Sequence, residues 1–198
     1  MDPIDVLMAE HRLIERALDA LVVMADHWYR GGLDDRPTLG RFVAFVREYA
    51  DARHHGKEED LLFAAMIEAG VPAERGPIGC MLSEHAVGRR LVAALGQRAA
   101  QATPWTDADR LEVIRVATAY AAMLRQHIVK EDHMLYPLGR ERLRGAAYER
   151  LADAFAAAAP PADDALVPEG RALVAVAQAV VHRIDPARLR AVAGAPPA

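Results

Sequence analysis

The sequence predicts an all-α chain: an antiparallel, up-down four-helix bundle followed by a C-terminal helical extension. Three observations predict it. Apolar residues recur at helical spacing through four long segments. Caps and Gly/Pro punctuation separate those segments by short connections, as in an up-down bundle. The composition is 53% hydrophobic, mostly Ala, Leu and Val, with only 6% aromatic residues, which suits helices better than sheets.

The first helix spans roughly 3–29: Asp2 caps it, Pro3 opens it, and Gly31-Gly32 ends it. Its apolar set is Ile4, Leu7, Met8, Ile14, Leu18 and Val22. Asp34-Asp35-Arg36-Pro37 starts the second helix, which runs to about 69, with Gly70 as C-cap. The Pro/Gly-rich GVPAERGPIG follows as a loop, and the third helix covers about 77–101. Thr106 or Asp107 caps the fourth, from about 107 to 138. Residues 1–140 thus form the bundle. Residues 141–198 form an extension expected to pack on it: an Ala-rich amphipathic helix over 141–159 ended by Pro160-Pro161, a helix over 168–184, and a disordered tail.

Bulk properties narrow the function classes. The net charge of -4 gives no electrostatic reason to expect nucleic acid or an anionic membrane as partner. No apolar run approaches the ~20 residues a bilayer span needs. The start, MDPIDVLMAEHR, does not read as a signal peptide. A single cysteine, Cys80, rules out an internal disulfide and fits a reducing, cytoplasmic setting. No nucleophile elbow, P-loop, dinucleotide fingerprint or H-E-x-x-H zinc motif occurs.

The chemistry lies in the histidines. The second helix contains HHGKEEDLLF (54–63) and the fourth HIVKEDHMLYP (127–137); both read H-x-x-K-E-[ED]-x-x-L-[FY]. Residues four apart lie one turn apart on one helix face, so His54 with Glu58, and His127 with Glu131, can each reach one ion. Imidazole nitrogen and a carboxylate able to bridge suit a two-metal site inside a bundle. The other half comes from His11, which shares its face with Leu7 and Ile14, and from His85, which shares its face with Ile78, Met81 and Leu82. His127 sits among Val116, Leu124 and Met134; His54 lies on the side of Ala50, Leu61 and Ala65. A lone histidine on an apolar face is usually a hydrogen-bonded core residue. Four of them with two buried carboxylates are better explained by cations, since burying those carboxylates alone costs several kcal/mol each.

Through EHRLIERAL, HHGKEEDLLF, GPIGCMLSEH and HIVKEDHMLYP, in that order across roughly residues 3–138, the chain resembles the hemerythrin-like, cation-binding HHE family. The resemblance implies an antiparallel bundle around two non-haem iron ions, oxo- or hydroxo-bridged. It implies the ligands His11, His54, Glu58, His85, His127 and Glu131. Oxygen-carrying hemerythrins place a second histidine four residues after the third-helix ligand; here Arg89 stands there. Their fourth-helix carboxylate is an aspartate five residues after the histidine; Asp132 occupies that place and competes with Glu131, which the echo with Glu58 favours. Two octahedral irons offer about twelve positions; four histidines, two bridging glutamates and one bridging oxygen leave about two, where a fifth histidine would leave about one. Both irons are then expected to accept an outside ligand, favouring redox or nitric oxide chemistry over protected oxygen carriage.

Neighbouring residues carry lesser expectations. His55 with Glu59 forms a second i,i+4 pair rotated by about 100°, and His55 is expected beyond the ligands or at the surface. Glu15 is a candidate to orient a ligand, with Arg89 pairing to it or to another carboxylate. Tyr49 and Tyr120 are expected to pack rather than to hydrogen-bond at the centre. His27 and His133 are expected to be exposed, His182 to stand without partners, and Cys80 to be a buried thiol facing away from His85. The function expected is that of a di-iron protein binding or reacting with O2, nitric oxide or peroxide, as carrier, scavenger or sensor. The alternatives are an iron- or oxygen-sensing module, an iron donor for iron-centre repair, or a bundle without metal. No protein partner is indicated.

Overall fold

The computed structural model describes residues 2–159 and 164–184 and, among these, is built of helices alone. The expected tail, Pro160-Pro161 and the side chain of His182 lie outside the described residues.

Helix α1 (Pro3–Gly31) begins where the carboxylate of Asp2 accepts from the amides of Ile4 and Asp5 at 2.9 and 3.1 Å, leaving two fewer orphan donors. It ends at Gly32, whose φ of 63° is the left-handed conformation that glycine adopts without cost. Helix α2 (36–68) is one rod of mixed winding. It is α-helical over Arg36–Phe45, π-helical over Val46–His55 and Glu58–Phe63, and α-helical again over Ala64–Glu68. Helix α3 spans Pro77–Ala99. Helix α4 (107–142) opens on a reciprocal cap between Thr106 and Asp109, and winds as a π-helix over Glu131–Leu135 before closing with Tyr136–Arg142. Pro137 stands two residues beyond that π turn; proline cannot donate to an upstream carbonyl, so the helix is already disturbed there.

The four helices alternate in direction. Asp19 of α1 meets Arg125 of α4 at one level while His11 meets Glu131 at another; Arg98 of α3 meets Asp109 while Glu84 meets His127. The core is divided. A larger cluster includes Leu18, Trp28, Phe42, Val92 and Leu124; a smaller one includes Ile4, Leu62, Met66, Ile78 and Tyr136. In each helix the crossing falls at the same place: Leu7 to Leu13 in α1, Ala50 to Leu62 in α2, Met81 to Val92 in α3, Ile128 to Leu135 in α4. His11, His54, Glu58, His85 and Glu131 occupy those crossings, with His127 beside Ile128 at the last. A polar layer therefore cuts the apolar core in two.

The chain after 142 covers the bundle. Helix α5 (Ala146–Ala157) adds Leu151 and Phe155 to the smaller cluster. Helix α6 (Leu166–Ile184) adds Leu173 and Ala177 to the larger one. Arg41 grips Glu169 at 2.8 Å, and Arg53 grips Asp164 with two bonds of 2.6 and 2.7 Å. At Gly170 a side chain would come within 2.5 Å of the Phe45 ring, so glycine is what lets α6 lie this close to α2.

The π turns shift the helical phase from the one a uniform α-helix predicts. With i→i+5 bonding a turn takes up one more residue. Leu62, Phe63 and Met66 are therefore buried where Leu61 and Ala65 were expected, and Leu135 is buried while Met134 is 66% exposed. Leu82, expected on the inner face beside His85, is 38% exposed. Cys80 is exposed rather than buried, its Sγ 3.8 Å from the Glu84 carboxylate; it lies on the outer face of a turn whose Ile78 and Met81 point into the core. His133 is exposed as expected, whereas His27 is half-buried.

Candidate metal centre

The six residues singled out by sequence converge. His11, His54, Glu58, His85, His127 and Glu131 are all essentially inaccessible to water and lie in one layer. A seventh joins them. His55, expected outside the ligand set, is buried and its ring stacks on that of His85 with centroids 3.8 Å apart. The π winding of Val46–His55 explains the correction: neighbours in a π turn subtend a smaller angle than in an α turn, so adjacent histidines can both face inward.

The donor atoms fall into two groups that share a carboxylate. His55, His85, His127 and Glu58 form one; His11, His54, Glu58 and Glu131 form the other, with donors in each within 4.8 Å of one another. Glu131 also reaches across. Its Oε1 lies 3.0 Å from His127 Nε2 and its Oε2 3.3 Å from His11 Nε2. Glu58 Oε2 is placed 3.7 Å from His54 Nε2 and 3.6 Å from His85 Nε2. Each glutamate thus stands between the two groups, as a bridging ligand must.

Around this layer runs a ring of carboxylates that aims the imidazoles. Nδ1 of His11 meets Asp132 at 2.7 Å, that of His54 meets Glu10 at 3.0 Å, and that of His55 meets Asp51 at 3.3 Å. Nδ1 of His85 meets Glu59 at 2.6 Å and that of His127 meets Glu84 at 2.8 Å. A cation backs each carboxylate: Arg12 on Asp132, Lys57 on Glu10, Lys130 on Glu84, and Arg89 on both Asp51 and Glu59. An imidazole that gives its Nδ1 hydrogen to a carboxylate presents a bare Nε2 inward, the tautomer a metal requires. The competition between Glu131 and Asp132 resolves here: Glu131 faces the centre and Asp132 orients His11. Arg89, standing where a histidine was sought, serves the outer ring. Glu15 pairs with Arg12 at 3.0 Å and does not touch an imidazole directly.

The layer is electrostatically incomplete without cations. Glu58 Oε2 and both oxygens of Glu131 are buried and have no hydrogen-bond partner. Nε2 of His85 and Nε2 of His127 face each other at 3.0 Å although both rings spend Nδ1 on a carboxylate. Burial, then the nearby Glu131, pushes the Glu58 carboxyl well above its ordinary range. Burial pushes Glu131 the same way, but the close imidazoles of His11, His127 and His85 outweigh it and hold its carboxyl well down. Burial lowers His54 to about 4 and His55 to about 3, leaving both neutral at pH 7. Orphaned carboxylate oxygens and opposed lone pairs fit cations placed between them, and the nitrogen and oxygen donor set suits iron, manganese or zinc.

Two further features border the layer. Tyr136 is buried, stacked 5.5 Å from the His11 ring, and its hydroxyl donates to Glu58 Oε1 at 2.6 Å. A cavity of about 350 Å³ reaches His55, lined by Asp51, Gly88, Arg89 and Tyr120 among others. Tyr49 stacks on Phe45 as a packing residue. The sequence reading missed the outer ring. Its signal was present in the Glu-His dipeptides Glu10-His11 and Glu84-His85, which place an aiming carboxylate and an inward imidazole side by side on α1 and α3.

Among the described residues no helix is long and apolar enough to cross a membrane. Neither the curated proteins nor the solved structures contain a match to the chain. The Hemerythrin HHE cation binding domain matches residues 2–139, all but the last turn of the bundle that carries the His/Glu layer. The chain belongs to the hemerythrin HHE cation-binding domain family.

Proposed function

We propose that this protein holds two non-haem iron ions and uses them to bind or react with O2, nitric oxide or peroxide. His55, His85 and His127 hold one ion and His11 and His54 the other, with Glu58 and Glu131 shared. The observation that carries the reading is the set of three buried carboxylate oxygens without a partner, ringed by inward imidazole nitrogens. Removing water and then leaving such groups unpaired costs several kcal/mol per charge, which two cations offset.

The fifth imidazole revises the ligand count. His55 completes the ion on its side, so about one outside position remains instead of about two, on the two-histidine ion. When bound, iron supplies one-electron chemistry and affinity for small oxygen and nitrogen ligands. The protein's own part is to aim the imidazoles through the outer ring, to hold the carboxylates ready to bridge, and to exclude water. A single exposed thiol fits a cytoplasmic setting.

The test is metal analysis with optical spectroscopy. Two irons per chain are expected, and anaerobic reduction followed by O2, nitric oxide and peroxide in turn should change the spectrum with at least one of them. A purified chain that binds no iron overturns the reading.

A second reading, metal sensing, is favoured by one observation. Lys57, which backs the carboxylate aiming His54, lies 6.0 Å from the ring of Phe155 on α5. Loss of the ions would disturb the surface on which the extension rests. Melting with and without chelator tests it, since ions that bind only the folded state raise stability; an unchanged transition counts against it.

A further inference from the structure

The centre has an approximate two-fold relation between α1 with α2 and α3 with α4. Glu10-His11 matches Glu84-His85, and His54, Lys57, Glu58 and Glu59 match His127, Lys130, Glu131 and Asp132. The relation fails at two places, and the failures are complementary. Opposite His55 stands Ile128, so the ion at His11 and His54 lacks a third imidazole. Opposite Phe63 stands Tyr136, so that same side gains a phenol where the other side has only a phenyl ring near His85.

We propose that Tyr136 is itself a ligand: its phenolic oxygen gives the ion at His11 and His54 the donor that His55 gives the other ion. The inference rests on the two-ion reading above. Its geometry is that of a donor. The Tyr136 oxygen lies 2.6 Å from Glu58 Oε1 and 3.2 Å from His11 Nε2. The neighbouring donor pairs are spaced alike: His85 and His127 at 3.0 Å, His127 and Glu131 at 3.0 Å, His11 and Glu131 at 3.3 Å. Metal–donor bonds of about 2.0–2.2 Å set at right angles place adjacent donors about 3 Å apart. Tyr136 is 1% exposed, so water does not compete for its oxygen. On coordination the O–H bond breaks, the oxygen–metal bond forms, and the proton, which the apoprotein directs at Glu58, leaves to solvent. An outside ligand at this ion must then displace a phenolate rather than a water, which narrows the choice to strong donors.

The test uses the full chain loaded with ferric iron, counted by metal analysis, with tyrosine supplied either ordinary or ring-deuterated. A phenolate-to-iron charge-transfer band in the visible is expected, with enhanced ring vibrations that shift on deuteration. Tyr136→Phe should keep two irons and lose the band. The Phe variants of the other four of the five tyrosines, at 29, 49, 120 and 148, should keep it, which assigns the band even if Tyr136→Phe folds poorly. Two bound irons without such a band, or a band that survives Tyr136→Phe, overturns this inference alone. Absence of bound iron overturns the two-ion reading with it.

Discussion

Helices α1 and α2 on one side, and α3 and α4 on the other, surround the centre with matching outer parts and unequal inner ones. Outside, each side sets a Glu-His dipeptide against a Lys-Glu pair, so that Lys57 with Glu10 and Lys130 with Glu84 hold His54 and His127 alike. Inside, one group has three imidazoles and the other has two beside a phenol. The outer ring aims rings and is indifferent to what they bind, so it can be symmetric. The inner layer sets which donors each group offers, and there the sides diverge through His55 against Ile128 and Phe63 against Tyr136.

The strongest way to break this comparison is at the carboxylate that spans it. Glu131→Ala removes the oxygens that face both groups, and iron content should fall from two per chain to below one. Retention of both irons would show that Glu131 does not bridge. His55→Ala and His54→Ala separate the sides: the first should weaken only the three-histidine ion and the second only the other, each leaving about one iron. Equal loss of both irons from either variant would merge the two groups into one site.

Acid titration of the chelated protein ranks next. An unfolded histidine takes up its proton near pH 6.5, whereas His54 resists until about 4 and His55 until about 3, chiefly because burial penalises the charged ring. Between those limits the unfolded chain binds more protons, so stability falls as pH drops below ~6.5, on the order of 3 kcal/mol for each group. His11 runs the other way. Burial lowers its pKa, but Asp132 and Glu131 outweigh burial and raise it, so its contribution is lost as pH rises. Melting temperature should therefore fall from pH 6.5 towards 4; a rise would mean that the down-shifted rings do not dominate.

The smallest effect sharpens the symmetry of the outer ring. Glu10→Gln and Glu84→Gln each unseat one aiming carboxylate, and each should weaken metal binding by roughly 10–100-fold, by similar amounts. Titration of iron into both variants checks it. A gap of more than about tenfold between them, beyond that range's own spread, would show that one side's ring matters more.

Most of the bundle was legible in the sequence because its cues are local. Asp2-Pro3, Gly32 and Thr106 act within one turn of where they stand, so the ends of α1 and the start of α4 needed no knowledge of the rest. The inward histidines of α1 and α3 followed from apolar periodicity. The second helix was the harder case. Its apolar residues run nearly all round, and its winding changes to π at Val46 and again at Glu58, so a uniform α phase put Leu61 inside and His55 outside. The same error put Met134 inside on α4, where Glu131–Leu135 is π-wound.

The sequence by itself determined the helices, their caps, and one inward histidine per helix with two H-x-x-x-E pairs, because each depends on residues within a few turns of one another. The echo with Glu58 already favoured Glu131 over Asp132; tertiary structure alone decided that His55 joins His54 and that Glu10, Glu59 and Glu84 aim rings on other helices. Those choices depend on which helices meet at what height, and a π turn is kept only where packing on its neighbours and the ligands it delivers offset its poorer local hydrogen bonding.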